Sequence, residues 1–155
     1  VLSRSDVLRS TLDAVSELLN SASGRPATSD LTVLVQTRET GMAISRALKQ
    51  EGLKVRDTFD RDQRAERKRK LAFFKGDACI KITTLHSYKG WESPVLIVVL
   101  ERLGDPTQLA EGYVALTRIR RSPTGSFLRV ICADPVATRY GASWPRPRSR
   151  AAGSE

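Results

Sequence analysis

The amino-acid sequence predicts an α/β fold with a mostly parallel sheet and helices on both of its faces. Three observations lead to this prediction: short apolar runs recur along the chain, helix-like segments lie between several of them, and the runs are apolar at both alternating positions. Strands with two apolar faces are typical of parallel sheets that are covered on both sides. The 155 residues suffice for one domain with its own core.

The first elements are a helix and a strand. Apolar residues at helical spacing predict a helix over residues 6–20, and Ser3 and Asp6 have the spacing of a capping box at its start. Residues 21–30 have the composition of a loop. The apolar, β-branched run at residues 31–36 predicts a short buried strand.

A second helix and a charged segment follow. Apolar residues around Ile44 predict a helix of about 12 residues that Gly52 ends. Residues 53–55 predict another short strand. Residues 61–70 (RDQRAERKRK) fit either the solvated face of a helix or a patch that contacts a nucleic-acid backbone.

The second half of the chain repeats the strand-and-helix pattern. Residues 108–120 predict a helix. Further apolar runs predict strands at residues 80–85, 95–100 and 127–132. We expect residues 1–142 to form the single domain, and residues 143–155, rich in proline, arginine and serine, to form a flexible basic tail.

Charge, cysteine and histidine content restrict the function. The chain has 26 lysines and arginines against 17 acidic residues, a net charge of +9, so we expect it to attract nucleic acid first and nucleotide phosphates second. The alternative is that the charge only aids solubility. Two separated cysteines and one histidine argue against a disulfide scaffold, a Cys-rich zinc site, a His-based metal cage and a Ser-His-Asp hydrolase. No apolar run is long enough to span a membrane.

Two segments concentrate chemically useful side chains. Residues 83–92 (TTLHSYKGWE) leave one predicted strand and lead to the next, and their hydroxyls, lysine, glycine and carboxylate suit phosphate and ribose. Residues 113–121 (YVALTRIRR) place arginines near a helix end, where a guanidinium fits a phosphoryl group. The alternatives are a solvated loop and cations that favour a helix C-terminus. Because no GxxxxGK[ST] loop occurs, the chain alone should not bind a nucleotide tightly.

Both segments resemble motifs of the UvrD/Rep-like superfamily 1 helicases. Thr84 with residues 86–92 is similar to motif V, whose common form is T-x-H-x-x-K-G-L-E, and residues 113–118 are similar to motif VI. Residues 31–55 resemble the strand, helix and return strand between motifs IV and V, and residues 2–5 are a weaker match to motif IV. The resemblance implies the second, C-terminal RecA-like domain, with a three-layer fold and no phosphate loop of its own.

The resemblance also implies a nucleotide site shared between two domains. ATP and Mg²⁺ would be held mainly by the N-terminal RecA-like domain of the same full-length protein, and this chain would supply no metal ligand. Arg118 would be the arginine finger, with Arg4 as a second contact to the γ-phosphate. Gly90 and Glu92 would face the ribose.

Single-stranded DNA is the other partner that the resemblance implies. Thr84 and His86 would lie toward the DNA, and Lys89 would help to join the two sites. Closure of the cleft on ATP and its opening after hydrolysis would move the strand. The expected protein is an ATP-dependent DNA helicase or translocase, cytoplasmic, associated with the nucleoid and with DNA repair, and the isolated domain is expected to be inactive as an ATPase.

The sequence departs from the family pattern at several positions. Trp91 replaces a leucine of motif V, Ser3 replaces a tyrosine of motif IV, Ala110 and Glu111 replace the Arg-Leu before motif VI, and Ile119 replaces an alanine. Between residues 56 and 79 there is no room for the large inserted subdomain of the UvrD and Rep enzymes. Translocation on single strands is therefore the expected activity, rather than separation of duplex strands.

A second hypothesis is a non-enzymatic module that binds nucleic acid or docks a partner. The charge of +9 fits this hypothesis equally well. Arg118 and Glu92 favour the motor, because a binding module has no need of them. The missing phosphate loop argues against a third hypothesis, a small phosphotransferase complete in 155 residues.

Overall fold

The computed structural model describes residues 3–21, 26–59, 78–123, 125–141 and 143. The helices among them are α1 (Arg4–Asn20), α2 (Arg38–Gln50), α3 (Pro106–Leu116) and α4 (Pro135–Gly141). The strands are β1 (Leu31–Val35), β2 (Val55–Asp57), β3 (Ile80–Thr84), β4 (Val95–Leu100) and β5 (Phe127–Cys132). Short 3-10 helices precede β1 and follow β3, at Thr28–Asp30 and His86–Tyr88.

These strands form one sheet in the order β2-β3-β1-β4-β5, and each pairing is parallel. All carboxyl ends therefore lie at one edge of the sheet and all amino ends at the other, which we call the carboxyl edge and the amino edge. The strands β1 and β4 are neighbours. After β1 the chain continues to β2 on one side of this pair, and after β4 it continues to β5 on the other side. Such a divergence opens a crevice at the carboxyl edge, the usual place for a ligand in an open α/β sheet.

Helices cover both faces because the strands are apolar on both. Val33 and Val35 of β1 belong to the core under α1 and α2. Leu34, between them, faces the opposite side and packs in a second core with Leu96 of β4 and Ala115 of α3. The predicted α/β class, the parallel sheet and the three-layer arrangement are confirmed.

Most element boundaries follow the sequence prediction closely. β4 and β5 have the predicted bounds, and β1 and β3 each end one residue earlier than predicted. The capping box is present: the Ser3 hydroxyl accepts from the Asp6 N–H at 3.2 Å, and the Ser3 N–H donates to the Asp6 carboxylate at 3.0 Å. Because Ser3 is the cap, α1 begins at Arg4, two residues before the predicted start.

Two boundaries differ from the prediction for identifiable reasons. The strand predicted at residues 53–55 lies at Val55–Asp57, because the Leu53 N–H donates to the Leu48 carbonyl at 3.1 Å and so belongs to the end of α2. The helix predicted to reach Arg120 ends at Leu116. The backbone beyond it bonds instead to the segment before β4, as described below.

Several predictions lie outside the described residues. The charged segment 61–70 and residues 144–155 of the predicted tail are among them, so the division into a domain and a tail stays a prediction. In the part of the chain that is described, no helix combines the length and the apolar character that crossing a membrane requires.

Candidate nucleotide and nucleic-acid sites

The segment between β3 and β4 runs from one edge of the sheet to the other. β3 ends at Thr84 on the carboxyl edge, and β4 begins at Val95 on the amino edge. β4 has six residues, so the two edges are about 20 Å apart. The candidate residues from Thr84 to Glu92 are therefore divided between two places rather than gathered in one.

Thr84 and His86 lie at the carboxyl edge. The His86 imidazole Nε2 lies 2.8 Å from Glu111 Oε1 on α3, and 64% of the histidine side chain is exposed. The Thr84 hydroxyl donates to Ser87 Oγ at 3.1 Å and accepts the Ser87 N–H at 3.4 Å. These bonds fix the short 3-10 helix that carries His86 out of the strand.

The crevice between β1 and β4 adjoins these residues and is lined by polar groups. Gln36 Oε1 accepts the N–H groups of Glu101 and Arg102 at 2.6 and 2.8 Å, and its Nε2 donates to the Arg102 carbonyl at 2.7 Å. The Glu101 carboxylate accepts from the hydroxyls of Thr37 and Thr40 at 2.9 and 2.7 Å. Thr37 is the N-cap of α2, so the carboxylate sits at the positive end of that helix.

Arg4 belongs to this edge as well. Its Nη2 donates to Glu39 Oε2 in the first turn of α2 at 2.7 Å, and this bond raises the pKa of the guanidinium. Arg4, Glu101 and Glu111 line one cavity of about 540 Å³. We call the set of side chains at this edge the carboxyl-edge cluster: Arg4, Thr37, Glu39, Thr40, His86, Glu101 and Glu111.

Lys89, Gly90 and Glu92 lie on the path toward the amino edge and are exposed. Gly90 has φ +82°, a conformation that other residues rarely adopt. Apart from its two chain neighbours, no atom of the described residues stands within 4 Å of a Cβ placed there. The glycine is thus required by the turn that presents Lys89 and Glu92, and not by close packing.

Arg118 is brought to the same edge by its backbone. The Ser93 N–H donates to the Arg118 carbonyl at 3.0 Å, the Arg120 N–H donates to the Ser93 carbonyl at 2.9 Å, and Ser93 pairs with Ile119 in a parallel bridge. Glu92 precedes Ser93 as Arg118 precedes Ile119, so the bridge sets Glu92 beside Arg118 along the backbone.

The Arg118 side chain folds back on the last turn of α3. Its Nε donates to the Val114 carbonyl and its Nη2 to Thr117 Oγ1, both at 3.1 Å. The side chain is half-buried. The guanidinium therefore has a defined position on the last turn of α3.

Ser93 and Tyr88 are the buried residues next to the bridge between Ser93 and Ile119. Ser93 is buried, and its hydroxyl donates to the Asp30 carbonyl at 2.5 Å and accepts from Thr32 Oγ1 at 3.2 Å. Tyr88 is buried as well; burial raises the pKa of its hydroxyl, and the neighbouring Thr32 and Ser93 hydroxyls oppose that rise. We call this group the amino-edge junction: Asp30, Thr32, Tyr88, Ser93, Arg118, Ile119 and Arg120.

The structure joins some predicted residues and separates others. Glu92 and Arg118 come together, whereas Arg4 and Arg118, predicted to touch one γ-phosphate, lie at opposite edges of the sheet. Sequence reasoning missed Ser93 and Glu101. The available signal was their position: each is a polar residue close to one end of the apolar run 95–100.

Comparisons with solved structures support the fold. The chain is similar to the C-terminal domain of the DEAD-box protein Dbp5 (TM-score 0.59, 17% identity, covering 91% of this chain and 81% of that structure). It is also similar to the Hef helicase domain of Pyrococcus furiosus (0.55, 16%, 89% and 28%) and to the C-terminal part of the Fun30 ATPase domain (0.55, 8%, 88% and 44%). The chain thus spans less than half of the Hef and Fun30 structures.

These likenesses establish a RecA-like fold of the kind found in C-terminal domains of helicases. No protein-family model matches the chain, and a comparison with curated proteins finds no significant relative. None of the three structures is described as a UvrD/Rep enzyme. The narrower resemblance therefore stays a prediction.

Proposed function

We propose that this chain is the C-terminal motor domain of an ATP-dependent translocase or helicase of the UvrD/Rep type, acting on single-stranded DNA. The observation that carries the proposal is the bridge between Ser93 and Ile119, which sets Glu92 beside Arg118 at one edge while Thr84 and His86 lie at the other. One segment thereby connects two places of different chemistry. Such a connection is what a motor needs if events at a nucleotide are to move a strand.

At the amino edge, the side chains suit a nucleotide held by another domain. The planar guanidinium of Arg118 matches phosphate oxygens and would stabilise charge on the γ-phosphoryl group. The exposed carboxylate of Glu92, on the turn that Gly90 permits, would accept hydrogen bonds from the ribose hydroxyls. ATP and Mg²⁺ supply the phosphoryl group and its charge neutralisation, and the N-terminal RecA-like domain of the full-length protein would hold both.

At the carboxyl edge, the groups suit a phosphate backbone. The Thr84 hydroxyl and the exposed His86 imidazole would contact the strand, with Lys89 between the two sites, and the charge of +9 would favour the approach of DNA. Arg4 lines the cavity that Glu111, the partner of His86, also lines. We therefore assign Arg4 to the strand side and leave it out of the γ-phosphate contacts.

The decisive test is ATP turnover stimulated by single-stranded DNA, measured with the full-length protein. We expect Arg118→Ala to lower turnover about 10³-fold or more, as for arginine fingers elsewhere. Arg121→Ala is the matched control, since it removes the same charge three positions along without touching the junction, and should change turnover only a few-fold.

The outcomes separate the motor from the binding module. Equal activity of the Arg118→Ala and Arg121→Ala proteins would remove the finger from the proposal. A full-length protein that binds single-stranded DNA without hydrolysing ATP would instead establish the non-enzymatic module. Under both hypotheses, motor and binding module, the isolated chain should bind a single-stranded oligonucleotide in a salt-dependent way and hydrolyse no ATP.

A further inference from the structure

Every basic or hydroxyl side chain of the carboxyl-edge cluster forms an ion pair or a hydrogen bond with a carboxylate of the same chain. Arg4 pairs with Glu39 at 2.7 Å, and His86 pairs with Glu111 at 2.8 Å. The hydroxyls of Thr37 and Thr40 both donate to Glu101, at 2.9 and 2.7 Å. His86, which a strand would contact, is thus already paired with a carboxylate.

A carboxylate and a phosphate compete for the same donors. Both present oxygen atoms with negative charge, and both are favoured at the N-terminus of a helix, where Glu101 lies. The cavity between these groups contains three glutamates, Glu39, Glu101 and Glu111, and two arginines, Arg4 and Arg102. Although the whole chain carries a charge of +9, this cavity is not basic.

We propose that Glu111 and Glu101 are internal substitutes for nucleic-acid phosphates, so that a strand must displace them in order to bind at the carboxyl edge. The inference rests on the proposed function, because it assumes that the strand contacts Thr84 and His86. Because the strand must first displace these two carboxylates, it would bind the free domain more weakly. A strand that binds would release the two carboxylates from their partners. Until then, the contacts within the cluster compete with DNA.

Glu111 is the sharper probe of the two. The His86 side chain is 64% exposed and that of Glu111 24%, so the pair is open to water on the histidine side and Glu111→Gln should leave the fold intact. The substitution keeps the size and the hydrogen-bonding oxygen and removes only the negative charge. The net charge at this place in the cluster becomes more positive by one.

The experiment measures binding of this chain to a fluorescein-labelled single strand of about 20 thymidylates by fluorescence anisotropy at low salt. We expect Glu111→Gln to tighten binding about threefold to fivefold, the effect of one ion pair near the surface, and the gain to shrink as salt screens it. Glu101→Gln should tighten binding in the same direction. Circular dichroism checks that the Glu101→Gln variant is folded. If it is not, the binding of the Glu111→Gln variant alone tests the inference.

Glu17→Gln is the matched control. Glu17 pairs with Arg129 at 2.6 Å, and neither residue lines the cavity, so the substitution makes the same change in net charge elsewhere. An equal gain for Glu17→Gln and Glu111→Gln would overturn the inference and leave the proposed function standing. Absence of binding by the wild-type chain and by every variant would overturn both.

Discussion

The amino-edge junction and the carboxyl-edge cluster are built from different kinds of contact. The junction consists of backbone bonds and buried hydroxyls, and its central residue Ser93 is 4% exposed. In the cluster, the ion pair of Arg4 and Glu39 joins side chains that are 62% and 79% exposed, whereas the Thr40 hydroxyl that donates to Glu101 is buried. Buried hydrogen bonds are costly to break, whereas exposed ion pairs exchange readily with water and with other ions. The junction thus fixes a geometry, whereas ion pairs of the cluster such as Arg4 with Glu39 can exchange their partners.

The strongest test of this contrast is Ser93→Ala. The substitution leaves the Asp30 carbonyl without its donor and Thr32 Oγ1 without its acceptor, in a buried setting. We expect the free energy of unfolding to fall by about 1–3 kcal/mol. Urea unfolding of the chain, followed by circular dichroism, measures the change.

Ser126→Ala is the control for Ser93→Ala. The Ser126 hydroxyl donates to the Arg120 carbonyl at 2.7 Å, but the residue is exposed, so water can take its place. We expect a loss below about 0.5 kcal/mol. Similar losses for the two alanine variants would mean that the junction is no more rigid than the surface around it.

Tyr88→Phe tests the junction by its response to pH. Burial raises the pKa of Tyr88 above the ordinary value of about 10. In the unfolded chain Tyr88 ionises first, so its contribution to stability is complete below pH 10 and is lost as the pH rises beyond that value. Removal of the hydroxyl should cost about 0.5–1.5 kcal/mol at neutral pH.

The pH dependence distinguishes this effect from a simple packing loss. The difference in stability between the wild type and Tyr88→Phe should narrow as the pH rises above 10. Tyr113→Phe is the control at a residue that is 71% exposed, and it should change the free energy of unfolding by less than about 0.5 kcal/mol at neutral pH. A difference that stays constant with pH would place the Tyr88 hydroxyl outside the buried part of the junction.

Local patterns predicted most of the fold but only part of the sites. The strand at residues 95–100 and the capping box of Ser3 and Asp6 depend on neighbours in the sequence, so their residue types suffice to find them. The pairing of Ser93 with Ile119 depends on where α3 ends and on how it packs, which no local pattern contains. The pairing of His86 with Glu111 is hidden for the same reason, and Glu111 stood out in sequence only as a departure from motif VI.

The smallest expected effect concerns the pair of His86 and Glu111. Because the histidine side chain is 64% exposed, we expect His86→Ala to change the free energy of unfolding by less than about 0.5 kcal/mol. A double-mutant cycle with Glu111→Ala should give a coupling energy of similar size, and 0.5 M salt should reduce it further. A coupling above about 1.5 kcal/mol would make the pair a structural contact. The carboxyl edge would then be as fixed as the amino edge, and a strand could not displace Glu111 at small cost.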